Sequence, residues 1–433
     1  MFGKMIKFIA LSLISISMIV LLSCEDRGTN VPAISSLDGG GPWPTADHIH
    51  SPELRWLLSN NIEQLPTWVY IPQVAAPPPL GVSRPVPLLI LLAPQGANKF
   101  YFAQHGLQEL LKEMIADGTI QPMVVACPSN DPTFGGFMYA GGYNFSHPVK
   151  VIDSITPPSG NNDAIFSKQL VKWINSLGFT LQGQQKTGIG GFGMGAYGAF
   201  RAALLSDAVY GSISVTDGPL DFDGDPGLGF GNGLIDLFDD ALIEQGLLND
   251  STYVQNFDSS SAWPISNMFI GAAFAFSPED TVLFEHNSSF LPPPVWKMDS
   301  TYGFDSLSPT HITGFNAPSG FRFDYLLPFD ASGAVYSPIW DNYWLTENLK
   351  SLIDSSTNKL SGVNLWFATT TESKLNYYQQ TQSWINTLKN PPYVYNVTEK
   401  KYLGVPGSPA SGDQYVYDLL REMLIFHSNS FGN

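Results

Sequence analysis

The stretch from Gly188 to Leu204, GIGGFGMGAYGAFRAAL, constrains the fold more than any other part of this chain. It reads as the end of a strand, a very tight turn and then a helix. Gly191, Gly193, Gly195 and Gly198 supply the turn and let the helix lie close to the sheet. Tyr197, Phe200, Ala203 and Leu204 then recur at helical spacing. At the centre stands the frame Gly191-Phe192-Gly193-Met194-Gly195, with no side chain at its middle position.

The surrounding segments alternate between strand and helix. Residues 66–72 form a short strand with alternating large side chains, and after a Pro-rich loop LLILL at 88–92 is a continuous apolar run of the buried-strand type. Residues 102–116 carry Leu107, Leu110, Leu111, Met114 and Ile115 at helical spacing, leading into a second buried strand at 123–126. Residues 163–177 form another amphipathic helix, and 210–215 form the strand after the glycine turn. Strands alternating with helices predict an α/β fold, a mostly parallel central sheet with helices on both faces.

The N-terminus reads as a targeting segment. Lys4 and Lys7 precede an apolar run at 8–22, which ends in Leu21-Leu22-Ser23-Cys24. This ending resembles a bacterial lipobox: residues 1–23 would be the signal peptide, and Cys24 would be lipidated and become the mature N-terminus. An ordinary secretory signal with a chance cysteine is the alternative. Residues 24–64 are expected to be the lipidated start and a flexible tether, polar and rich in Ser, Gly and Pro as far as about residue 44. Glu25 and Asp26 resemble the acidic residues that follow the cysteine in some surface-exposed lipoproteins. The expected location is therefore the bacterial cell envelope, with the membrane as a partner through the anchor. A domain at 65–433 follows, and no later run is apolar and long enough to span a bilayer.

Composition narrows the partners. A formal net charge of −17 argues against nucleic acid and anionic headgroups. The chain has two cysteines. With Cys24 assigned to the anchor, Cys127, inside an apolar segment, is expected to be a buried small hydrophobe.

The motifs VYIP, PVPLLILLAPQGAN, LLKEMIADGTIQPMVVACPSND and GIGGFGMGAYGAFRAALLSDAVYGSISVTDGPLDF together resemble the esterase family of α/β-hydrolases. That family includes feruloyl esterases, acetyl xylan esterases, S-formylglutathione hydrolases and mycolyltransferases. VNLWFATTTESK and SGDQYVYDLLREMLIF continue the resemblance, which covers residues 65–222 and 340–433. It implies an α/β-hydrolase fold in which residues 191–195 are the nucleophile elbow, the turn that holds a catalytic serine in G-x-S-x-G.

The chemistry departs from the family where acyl transfer is carried out. Serine acyl transfer needs a hydroxyl nucleophile, a histidine, a carboxylate and two N–H donors. The resemblance puts Gly193 at the nucleophile, Ser411 at the histidine and Glu372 at the acid. The oxyanion motif His-Gly has become Ala93-Pro94. Proline has no N–H, which leaves the backbone amides of Gln95 and Met194 as candidate donors. None of the seven histidines lies in the loop before the last helix; His427 lies beyond that loop, where a helix-end cap or a solvent-facing position is expected.

Two further features invite a reading. Asp221, Asp223 and Asp225 alternate ahead of Gly227 like the start of a calcium loop, but position 12 is Asn232; the alternative is a polar turn after a strand. Residues 223–340 form an insertion whose aromatics, Phe269, Phe276 and Trp296 among them, either contact a ligand as a lid or build a small core. Two function classes follow. One is a non-catalytic pseudo-esterase that binds a glycan, an envelope component or a protein. The other is an ester hydrolase with rearranged groups. No cofactor is expected beyond the calcium reading.

Overall fold

A computed structural model describes residues 48–58, 61–72, 84–97, 99–128, 138–139, 170–206, 208–224, 233–247, 264–276, 311–313, 324–329, 335, 337–354, 360–372, 375–406 and 413–432. The elements that frame the site are, in chain order, β1 (His48–Leu58), β2 (Asn61–Tyr70), β3 (Leu88–Leu92), α1 (Leu107–Ala116), β4 (Val124–Pro128), α2 (Leu170–Ser176), β5 (Thr187–Phe192), α3 (Met194–Leu205) and β6 (Ser212–Thr216). The insertion adds α4 (Phe238–Glu244), α5 (Pro264–Phe276) and the small hairpin β7 (His311–Thr313) and β8 (Asp324–Leu326). After it come α6 (Leu349–Asp354), β9 (Asn364–Glu372), α7 (Tyr377–Lys389), β10 (Val397–Pro406) and α8 (Asp413–Ser430).

Eight strands form one sheet in the order β1-β2-β4-β3-β5-β6-β9-β10. Strand β2 runs antiparallel to both its neighbours, and every pairing from β4 to β10 is parallel. The apolar run of β3 has its physical reason in this position. Leu88, Ile90 and Leu92 point into one core with α2, α3 and α7, while Leu89 and Leu91 point into a second core with α1 and α8. A strand with helices on both faces has no solvent side, so every residue is apolar. The predicted mostly parallel sheet covered on both faces is what the chain builds.

The sheet begins earlier than the expected domain boundary at residue 65. Strand β1 pairs with β2 from His48↔Tyr70 to Leu58↔Asn61, so residues read as tether contribute an edge strand. A tether was expected there because the segment lacks a clean apolar alternation. The expected signal peptide and Cys24 lie outside the described residues, among which no helix is long and apolar enough to cross a membrane.

The described part of the insertion joins the main core. Phe238 of α4, Phe269 and Phe276 of α5, and Phe329 pack with Tyr197, Phe222 and Trp344 in a network of ring contacts. All seven are buried. These aromatics build core; Trp296 lies outside the described residues.

Candidate functional site

The turn after β5 is built by missing side chains. A Cβ on Gly191 would run into the backbone of Gly195, and one on Gly195 into the backbone of Leu92, so α3 can start this close to the sheet only with glycine at both positions. Gly193 sits between them at φ 56 and ψ −121, a conformation that disfavours any side chain. Its N–H donates to the Thr216 carbonyl at 2.9 Å, tying the turn to the end of β6. A Cβ on Gly193 would lie 3.2 Å from Cβ of Pro94. The tight turn is therefore complete, and its central residue carries no reactive atom.

On the oxyanion side, Met194 opens α3, where the amide has no intrahelical partner. Its sulfur accepts the N–H of Met138 at 2.9 Å. Gln95 follows Pro94 in the loop after β3. Its side-chain Nε2 is buried with no hydrogen-bond partner among the described residues. The expectation concerned the Gln95 backbone amide, not this side chain.

The carboxylate at this edge of the sheet is Asp217, which the sequence reading did not single out. Asp217 follows β6 at φ 42, and its N–H donates to Ala368 of β9 at 3.1 Å. Its Oδ1 accepts from the Thr369 hydroxyl at 2.7 Å and the Thr370 N–H at 2.9 Å. Its Oδ2 accepts from the Tyr415 hydroxyl of α8 at 2.9 Å. Burial pushes the carboxyl up to about 6, and the hydrogen bonds from Thr370, Thr369 and Tyr415 pull against that rise. Among the described residues no cation stands against it. A tyrosine and two threonines take this carboxylate's bonds. A carboxylate at the C-terminal end of a buried central strand was the available signal.

Glu372 is the last residue of β9, as expected of a strand-end acid, but the structure describes only its backbone. Ser411 lies outside the described residues. His427 corrects its expectation. It is neither a cap nor solvent-facing but fully buried within α8. Its Nδ1 meets the Ser212 hydroxyl at 2.7 Å and its Nε2 meets the Ser214 hydroxyl at 2.8 Å. Gly188 and Gly190 of β5 leave the space this group fills. Desolvation lowers its pKa to about 3, so the ring is neutral, with one nitrogen donating and the other accepting. This serine–histidine–serine row is sealed inside the core, where no substrate reaches it.

The calcium reading meets a competing partner. Asp221 is buried; its Oδ2 pairs with the Lys350 ammonium and its Oδ1 accepts the Gly224 N–H at 3.3 Å. Burial first, then the charge of Asp221, raise the pKa of Asp223. Asp225 lies outside the described residues. Among the described residues no group of three His, Cys, Asp or Glu side chains is placed to hold a metal. Cys127 is buried as expected, and desolvation pushes its thiol far up.

No protein-family model matches the sequence, and no curated protein matches it. Among solved structures the chain is similar to a ferulic acid esterase at 10% identity and TM-score 0.46, covering 86% of this chain and 94% of that one. It is similar to an S-formylglutathione hydrolase from Staphylococcus aureus at 9% identity and TM-score 0.44, covering 88% and 98%. A third, an S-formylglutathione hydrolase from Agrobacterium tumefaciens, gives 10% identity and TM-score 0.43 over 86% and 91%. Likeness this distant says nothing of chemistry. The strand order, with its single reversed strand, and the strained turn between β5 and α3 identify the architecture from this chain itself. The fold is that of an α/β-hydrolase. On this hydrolase scaffold Gly193 stands at the nucleophile elbow and Asp217 at the neighbouring strand end.

Proposed function

We propose that this chain is a non-catalytic pseudo-esterase of the bacterial cell envelope, anchored by a lipid on Cys24, that binds a glycan, an envelope component or a protein. One observation carries the reading: the tight turn between β5 and α3 is formed around Gly193, which has nothing to attack an ester with. The surroundings of Asp217 support it: this buried carboxylate accepts from Tyr415, Thr369 and Thr370, and among the described residues no histidine stands against it. The competing hydrolase reading needs a serine–histidine pair open to a ligand, whereas the pair formed by His427 is enclosed.

The test uses the full chain in detergent with short-chain p-nitrophenyl esters from acetate to butyrate. The expected result is hydrolysis no faster than the buffer background; saturable turnover would overturn the non-catalytic reading. The anchor is checked separately: Cys24→Ser should move the chain from the membrane fraction to the soluble fraction, and an unchanged distribution would remove the lipid from the proposal.

A further inference from the structure

The end of the sheet opposite the elbow carries a second recognition surface. Strand β10 pairs with β9 so that Thr398 sits beside Trp366, and the two-residue alternation puts Asn364 and Asn396 on the same face. That face meets Glu422, Ile425, Phe426 and Asn429, which share one stripe of α8 at spacings of three and four. Between strands and helix lies a groove with a volume of about 610 Å³, within the range of small-molecule sites.

The chemistry of this groove differs from that of the stripe beside it on α8. The neighbouring stripe of α8, with Val416, Leu419, Leu420 and Met423, is wholly buried and apolar. Where the helix passes the last two strands, amides replace those side chains and the space stays open. Among the described residues, the side chains of Asn364, Asn396 and Asn429 make no hydrogen bond to another residue. Trp366 forms the floor, stacked on partly exposed Phe426 at 6.1 Å and 25°. The one acidic group, Glu422, is paired with Lys400 at 2.9 Å.

We infer that this groove binds a neutral sugar. An amide side chain offers both donor and acceptor, as a sugar hydroxyl does, so three unengaged amides can meet several hydroxyls of one ring. The apolar face of a pyranose fits against Phe426 and Ile425. The carboxylate is already neutralised, and the chain's net charge of −17 disfavours an acidic glycan. The inference does not depend on what the elbow does, because the groove lies at the N-terminal ends of β9 and β10.

The experiment is isothermal titration of the full chain, in a detergent without a sugar headgroup, with xylo-, cello-, manno- and maltohexaose. At least one should bind with a Kd below about 1 mM, and Asn364→Ala with Asn429→Ala should weaken it about tenfold with unchanged thermal unfolding. Should the pair fail to fold, Asn429→Ala alone, at an exposed position, should weaken it about threefold. Binding by none of the four overturns the inference. Binding that survives the asparagine variants also overturns it and moves the sugar to another site, leaving the pseudo-esterase reading intact. Tighter binding of hexagalacturonate than of any neutral sugar contradicts the charge argument.

Discussion

Asp217 and His427 are both buried without an opposite charge, and they titrate in opposite senses. The folded pKa of Asp217, about 6, lies above its unfolded value, so acidification from pH 7 to 5 stabilises the fold as the carboxyl takes up its proton. His427, lowered to about 3, lies below its unfolded value, so the same acidification favours the unfolded chain, where the ring can charge. Each contributes on the order of 1 to 2 kcal/mol over that interval, so the two largely cancel in the wild type. Removing either exposes the other. In urea unfolding at pH 7 and 5, Asp217→Asn should lose about 1 to 2 kcal/mol more on acidification than the wild type. His427→Gln should shift the difference the other way by a similar amount. Equal pH dependence in all three proteins would contradict the burial of these groups. Neither residue's place was legible in the sequence. Ser212 and Ser214 alternate on a strand that should be apolar throughout, but what they face exists only once α8 has docked on β6.

At the level of elements, the contact of β5 and β6 with α8 leaves little room for a larger side chain. Gly190 faces Ser214, with Nε2 of His427 and the Met423 sulfur each 3.3 Å from where a Cβ would stand. Gly190→Ala should therefore cost about 1 to 3 kcal/mol through overpacking. Combining it with Ser214→Ala, which removes the oxygen in the way, should cost less than the sum of the two single changes. Additive costs in a double-mutant cycle would mean that the strand glycine serves something other than this niche. The sequence made the turn glycines conspicuous because the frame at 191–195 is a local pattern. The roles of Gly188 and Gly190 are set by a helix more than two hundred residues later, which spacing cannot reveal. The insertion was opaque for a related reason: its aromatics lack a period, and their partners Tyr197, Phe222 and Trp344 lie outside or at the margins of the segment.

For the whole molecule, the sheet was readable because a strand covered on both faces must be apolar throughout, as LLILL is, and because helices between such strands keep them parallel. The upstream strand β1 escaped because an edge strand needs no such run. The turn makes two close backbone approaches, at Gly191 and Gly195, and holds at φ 56 a glycine that takes this conformation freely and carries no hydroxyl. The most direct measurement is the intact mass of the full chain after incubation with a fluorophosphonate, which forms a covalent adduct with an activated serine. The account predicts an unshifted mass, identical to that of a sample denatured before treatment. A stoichiometric adduct on the native chain alone would show that an activated nucleophile exists away from Gly193, and the non-catalytic account would be wrong.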